Sequence, residues 1–398
     1  MTVLAWIVVL IALAELSARS WIRRQARYYV WAPGARSDLR LSPDVSPRLH
    51  ERVRFEVNRD GERGSEAAPP GRECYRVLVA GGSCVESLLV DQPASWPGAL
   101  EHALATPASL RALGSRRVHV GNIGRSGVAT RELNLILARV LPRYPQLDAI
   151  VLMVGAGDVV QWLEQGAPCP FPPSSIAVQR CFACHPEGPF GWRPGTWAIS
   201  ELLRRLRRRW LRPVEVTERV GRWYADARAM RARAREVRTV VPDPAVMLDR
   251  FDDHLRHALL RARAHARRVL VVPQPWFEKE AYTTEEESQL WHGGMGLAWR
   301  EPVTTYYSLD VVNRLMRLVY ARAARVAEQA GVEHLDLRPR LEPSLEHYYD
   351  HVHFTPAGSA VVAWAVADAL LRLADVHVVV PEKIGLGLDS VHAAPRGA

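Results

Sequence analysis

Arg76-Val-Leu-Val-Ala-Gly-Gly-Ser-Cys-Val-Glu86 is the stretch whose reading decides the fold. A β-branched apolar run, two glycines and a serine lead into residues able to start a helix. A run without polar alternation reads as a parallel strand, buried on both faces, over Val77 to Ala80. In the tight turn that follows, Gly81 and Gly82 can take backbone angles closed to other residues. Ser83 then stands at the carboxyl end of a strand and the N-terminus of a helix. There, free N–H groups and the helix dipole favour developing negative charge. A serine nucleophile needs this placement, because its alkoxide and the oxyanion it creates both require such donors. Taken alone, a Gly-Gly-Ser turn is more often a plain loop.

A second stretch, Asp350-His-Val-His-Phe-Thr-Pro-Ala-Gly358, gives the serine partners. An Asp three residues before a His can orient the imidazole while that ring accepts a serine proton. Thr355 followed by Pro356 reads as an N-cap and first helical residue, so Asp350 and His353 lie on the loop before a helix. His347 and His351 lack the spacing and read as surface or supporting residues. Between these ends come Gly121-Asn-Ile-Gly-Arg-Ser-Gly127 and Val154-Gly-Ala-Gly-Asp158, each after a strand-like run.

Four loops in this order, with these residues, resemble the SGNH (GDSL-like) hydrolase superfamily over roughly residues 74–375. The resemblance implies Ser83 as nucleophile, His353 as general base and Asp350 as its orienting partner. It also implies an oxyanion hole from the N–H groups of Ser83 and Gly124. The third block departs from the pattern, since Gly157 stands where the family has Asn. Loss of one oxyanion donor typically costs ~10²–10³ in rate. Three readings follow: Asn122 lends its amide, the enzyme is slow, or Gly157 makes room for a bulky substrate.

Short Val-, Leu- and Ile-rich strands at 76–80, 117–121, 148–154, 268–273 and 332–337 alternate with helical patterns at 95–105, 129–141, 244–266, 308–330 and 356–374. This alternation predicts an α/β fold, a parallel sheet with helices on both faces. With the resemblance it becomes a doubly wound, flavodoxin-like, five-stranded sheet. All four motif loops fall at or near strand carboxyl ends, where such sheets bind ligands.

The 398 residues allow one large domain with insertions or two modest ones, and the 48% apolar content argues against general disorder. Net charge is +9, yet of the 52 basic residues only Lys279 and Lys383 are lysines, the other 50 being arginine. That imbalance reads as coding bias rather than selection for a polyanion. No nucleic-acid-binding pattern is present, so no nucleic-acid partner is expected.

Residues 1–27 read as a hydrophobic anchor or signal segment. The apolar run Val3 to Ala14 is followed by Glu15, then by Arg19, Arg23, Arg24 and Arg27. Membrane association follows, with sidedness open, because the positive-inside rule favours a cytoplasmic body while the family resemblance favours the outer side. Residues 28–73 form an extension with a half-exposed strand around Val53, Phe55 and Val57, and a Gly- and Pro-rich linker from Glu62 to Arg72. Residues 160–240 are an insertion whose basic part, 195–240, is either a solvated helix face or a patch for an anionic partner. Residues 276–302 read as a lid or acyl-pocket wall, or equally as aromatic core. The tail, 376–398, has little apolar content.

Cys74 and Cys84 flank the first strand and are expected as free thiols. Cys169, Cys181, Cys184 and His185 could close a structural zinc site, form a disulfide, or remain free. The implied chemistry itself requires no cofactor. The leading expectation is a serine esterase or deacylase acting on an acyl ester of a lipid or glycan. An O-acyltransferase acting on a cell-surface glycan and an anchored pseudoenzyme serving as a binding module are the alternatives.

Overall fold

Leu78 to Ala80 and Ala149 to Leu152 are wholly removed from solvent, as expected of strands covered on both faces. The computed structural model describes residues 2–67, 73–169, 176–186, 197–211 and 215–372. Its strands are β1 (Arg36–Leu41), β2 (Arg52–Glu56), β3 (Cys74–Gly81), β4 (Arg117–Asn122), β5 (Leu147–Val154), β6 (Glu215–Val220), β7 (Glu236–Arg238), β8 (Ala266–Pro273), β9 (Thr305–Tyr307) and β10 (Glu333–His334).

Five of these form the central sheet in the order β10-β8-β5-β3-β4, with every neighbouring pair parallel. Numbered along the chain, that is the 2-1-3-4-5 order of flavodoxin-like folds. Helices Trp96–Leu104 and Pro356–Leu371 pack on each other, while Ala245–His265 packs on both Thr130–Val140 and Leu309–Gln329. The result is one large apolar core with helices on both sides of the sheet. Strand order reverses between β3 and β5, which places a crevice at their carboxyl ends.

The expected antiparallel addition exists: β1 pairs antiparallel with β2. Its other neighbour is unforeseen, because β6, from the insertion, pairs parallel with β1. Extension and insertion therefore share one small sheet and a second apolar cluster that includes Phe55, Tyr224, Trp291 and Tyr349.

The linker expectation needs correction. Glu62 and Arg63 are buried. The Glu62 carboxylate accepts hydrogen bonds from His119 (2.8 Å), Tyr144 (2.6 Å) and Asn58 (2.7 Å). Burial alone would raise its pKa, but these partners bring it down to about 2. Gly121 has no side chain because a Cβ there would overlap the Glu62 carboxylate. The composition around Glu62 suggests a loose linker; tertiary contacts make its first residues part of the core. Residues 68–72 and the tail from 373 lie outside the described residues.

The helix Thr2–Gln25 contains one stretch, Val3–Arg24, long and apolar enough to cross a membrane. Its second half packs on Ala198–Leu211 through Ala18, Ile22, Ala198 and Leu202. Glu15 caps that second helix, accepting the N–H groups of Ala198 (2.8 Å) and Ile199 (3.1 Å).

Candidate active site

Ser83 opens the short helix Ser83–Glu86 directly after β3. The two preceding glycines are needed for space rather than for unusual angles, a correction to the expectation. Gly82 has φ −82°, and Gly81 is not among the residues with positive φ. A Cβ on Gly81 would overlap the Met153 carbonyl of the neighbouring strand. At position 82 it would come within 3.2 Å of the Val128 carbonyl. As the first residue of a helix, Ser83 also presents an N–H that has no acceptor within the helix.

His353 arrives on the loop before the helix Pro356–Leu371. That helix begins as the sequence predicts, with Pro356 first and the Thr355 hydroxyl accepting from Gly358 N at 3.1 Å. His353 Nε2 lies 2.7 Å from Ser83 Oγ, and its Nδ1 lies 2.7 Å from Asp350 Oδ2. The carboxylate cannot donate, so Nδ1 carries the ring proton and Nε2 is left to accept from the serine hydroxyl. Asp350 is fully buried. Its Oδ1 accepts the backbone N–H groups of Val352 and His353, both at 2.9 Å. Burial alone would raise this carboxyl, but His353 and the hydrogen bonds hold it well below the usual carboxylate range. The structure thus brings together the three residues singled out in sequence.

Residues from outside the motif loops complete the surroundings. The Trp291 indole donates to Asp350 Oδ2 at 3.0 Å. Tyr349 stacks on the His353 ring, 5.4 Å between centroids and 8° between planes. Arg228, on the helix Trp223–Ala232 of the insertion, donates to the carbonyls of Tyr349 (3.0 Å), Gln289 (3.2 Å) and Asp44 (2.9 Å). It fastens three segments around the loop, so this part of the insertion is not a solvated basic face. Neither Trp291 nor Arg228 shows its role in sequence, although Trp291 lies in the segment read as either lid or aromatic core.

His351 is buried, with Nε2 2.9 Å from Asn313 Oδ1, and burial brings its pKa down to about 3. His347 is half-buried and faces the Glu342 carbonyl. Cys84, also buried, donates to the Val352 carbonyl (3.0 Å) and accepts from Gln274 (2.7 Å). Burial pushes its thiol well above the ordinary range, so it ties elements together as a neutral group.

The oxyanion expectation changes most. Gly124 N–H donates to Asn122 Oδ1 at 2.8 Å, and the Asn122 amide donates to the Val85 carbonyl at 2.7 Å. The Gly124 N–H is taken up in this way, as is one of the two N–H bonds of the buried Asn122 amide. A Cβ on Gly124 would overlap the backbone between Val85 and Glu86. Gly124 is therefore a packing glycine. Gly157 likewise lies against the Val128 carbonyl, with no room for any side chain. Of the backbone donors assigned in sequence, the Ser83 N–H remains.

Cys169, Cys181, Cys184 and His185, read in sequence as a zinc site, a disulfide or free thiols, are spread apart. Cys181 and Cys184 are buried, Cys169 is exposed, and all five cysteines are free thiols. Cys184 instead bridges backbone to backbone with Tyr29. Among the described residues these four groups do not converge on one point.

A gap of about 10 Å³, roughly room for one water, lies where β3 and β5 end, lined by Gly81, Gly82, Val154, Gly155, Gly157, Asp158 and Gln274 among others. Asp158 accepts from the Thr130 hydroxyl at 2.7 Å, but burial outweighs this and pushes its carboxyl up to about 7.

No protein-family model and no curated protein matches the sequence. Among solved structures, the chain is similar to Axe2, an acetylxylan esterase from Geobacillus stearothermophilus, at 14% identity and TM-score 0.39, covering 76% of this chain and 95% of that one. It is also similar to LAE5, an α/β hydrolase enzyme from the metagenome of Lake Arreo, at 13% identity and TM-score 0.39, covering 76% and 97%. A member of the lipolytic G-D-S-L family from Veillonella parvula is similar at 10% identity and TM-score 0.39, covering 75% and 98%. At identities and scores this low, the chemistry of the site has to be read from its own atoms.

Proposed function

We propose that the chain is a membrane-anchored serine ester hydrolase acting through an acyl-enzyme. The observation that carries this reading is the unbroken line from Ser83 Oγ through His353 to Asp350, with both links at 2.7 Å. Ser83 attacks the ester carbonyl as His353 Nε2 takes its proton. Asp350 holds the ring in the required tautomer and stabilises the imidazolium. The imidazolium then returns the proton to the leaving alcohol. Water, activated by the same nitrogen, releases the acid and regenerates Ser83. The Ser83 N–H supplies oxyanion stabilisation, and with the Gly124 N–H occupied the rate should be modest. Each missing donor is worth ~10²–10³.

On this reading the substrate is an acyl ester of a glycan or a lipid. The stretch Val3–Arg24, long and apolar enough to cross a membrane, supports anchoring beside such material.

A fluorophosphonate probe with peptide mapping tests the reading. Ser83 should be labelled, Ser83→Ala should not, and p-nitrophenyl acetate should be hydrolysed by the parent but not by Ser83→Ala. Labelling at Ser126 instead, or undiminished hydrolysis by Ser83→Ala, would falsify it. Partitioning of the acyl-enzyme with and without an acylatable glycan decides between water and a sugar hydroxyl as acceptor. If no ester is cleaved at all, the binding-module alternative takes over.

A further inference from the structure

His292 lies beside Asp350 and His353 and takes no part in the proton path. It is 3% exposed, and its Nδ1 has no hydrogen-bond partner. Leaving a polar nitrogen buried and unpaired carries a desolvation cost that nothing on the protein offsets. One ring nitrogen of His292, one of His353 and a carboxylate oxygen of Asp350 all lie within 4.8 Å of one another. Nitrogen and oxygen ligands of a tetrahedral zinc ion are roughly 3.3 Å apart, given metal–ligand distances of ~2.0–2.2 Å. Side-chain shifts of about an ångström therefore close the set.

We propose that His292, Asp350 and His353 form an inhibitory site for a divalent metal ion of the zinc class, which switches the hydrolase off by capturing its general base. The proposal rests on the triad reading for its effect on activity, but not for binding itself.

Two imidazoles and a carboxylate suit zinc, with water in the fourth position. In the resting site Nδ1 of His353 carries the ring proton and Nε2 is open to the serine hydroxyl. A metal on Nδ1 needs that nitrogen's lone pair, so the single ring proton moves to Nε2. No proton is gained or lost. The Nε2–H then donates to Ser83 Oγ and cannot accept its proton, and attack stops. Asp350 Oδ2 exchanges the His353 hydrogen bond for the metal and keeps that from Trp291, while Oδ1 keeps its two backbone donors.

The test uses the full chain in detergent. Zn²⁺ should inhibit p-nitrophenyl acetate hydrolysis, with recovery on adding EDTA. His292→Phe keeps a flat ring against Trp291 and should hydrolyse the ester. Its half-inhibitory Zn²⁺ concentration should rise by at least the roughly 10–100-fold that even an outer-shell partner is worth. His292→Gln serves where the Phe variant does not fold. Co²⁺ gives a readout independent of activity. Its tetrahedral visible band should appear at one equivalent in the parent and in Ser83→Ala, and be absent in His292→Phe. Equal Zn²⁺ sensitivity of parent and His292 variants, or no such band in Ser83→Ala, overturns the proposal. If the parent cleaves no ester while the cobalt band appears as expected, the hydrolase reading falls and the metal site stands.

Discussion

Asp350 is where several elements meet on one pair of oxygen atoms. Four donors reach it: His353 Nδ1, Trp291 Nε1 and the N–H groups of Val352 and His353. Such a carboxylate stays ionised and fixed, which is what a tautomer-setting partner has to do. Trp291→Phe removes one donor while keeping most of the ring packing. It should lower kcat about tenfold, equivalent to ~1.4 kcal/mol, with little change in KM. Steady-state kinetics with a circular-dichroism check of the fold measures this. Asp158 behaves in the opposite way. Its carboxyl is pushed up to about 7 by burial, so the folded state binds a proton more tightly than the unfolded chain. Its favourable contribution is full below about pH 4 and is lost as pH rises through about 7. Asp158→Asn, which can still accept from Thr130, should therefore melt higher than the parent at pH 8 but show no such gain at pH 4. Thermal melts at the two pH values decide it.

At the scale of elements, glycines and one buried arginine set the loops around Ser83. Position 157 looks in sequence like a missing amide donor that Asn could restore. The backbone of Val128 occupies that space, so Gly157→Asn should destabilise the fold by ~1–3 kcal/mol or more and should not raise kcat. Urea denaturation and kinetics of the same variant test both halves. Arg63, read as linker, instead enters the core. It donates to the carbonyls of Glu86 (2.5 Å), Ser87 (2.6 Å) and Val90 (2.7 Å). These close the turn after the Ser83 helix. Burial lowers its pKa to about 10, so at neutral pH it is still charged. Arg63→Met leaves these buried carbonyls short of donors and should cost ~3–5 kcal/mol. A fall in the urea midpoint together with lost fluorophosphonate labelling is the expected result.

Across the whole molecule, the apolar N-terminal helix is tied to the body through Glu15 and the helix Ala198–Leu211. The exposed side chains Val3, Leu4, Trp6 and Leu10 lie beyond that tie, toward the N-terminus. Under the anchor reading, detergent should release the chain from membranes, while high salt and alkaline carbonate should not. Release by salt alone would mean that the arginines, rather than the apolar helix, hold it there. Glu15→Ala removes the cap from Ala198 and Ile199. Losing about 1 kcal/mol there should speed amide exchange at those two residues roughly fivefold and leave the central sheet unaffected. Hydrogen-exchange mass spectrometry resolves the two regions.

The central sheet was legible in the sequence because strands buried on both faces must be continuously apolar, and runs such as Val77 to Ala80 carry that demand locally. Ser83, Asp350 and His353 were legible for a related reason. A nucleophile at a strand end and an Asp-x-x-His before a capped helix are short-range patterns. Their meeting depends only on both loops lying at the same edge of one parallel sheet. What needed tertiary structure were contacts without a local signature. Trp291, Arg228, Arg63 and Glu62 act across tens to more than a hundred residues, and nothing in their neighbours' composition marks them. Gly124 and Gly157 were misread because a glycine's sequence context does not show which backbone lies against its missing Cβ. The Asn122 amide, bonded to the Val85 carbonyl, belongs with them: an amide's partner is set by what the fold brings within 3 Å, and only the folded chain decides that.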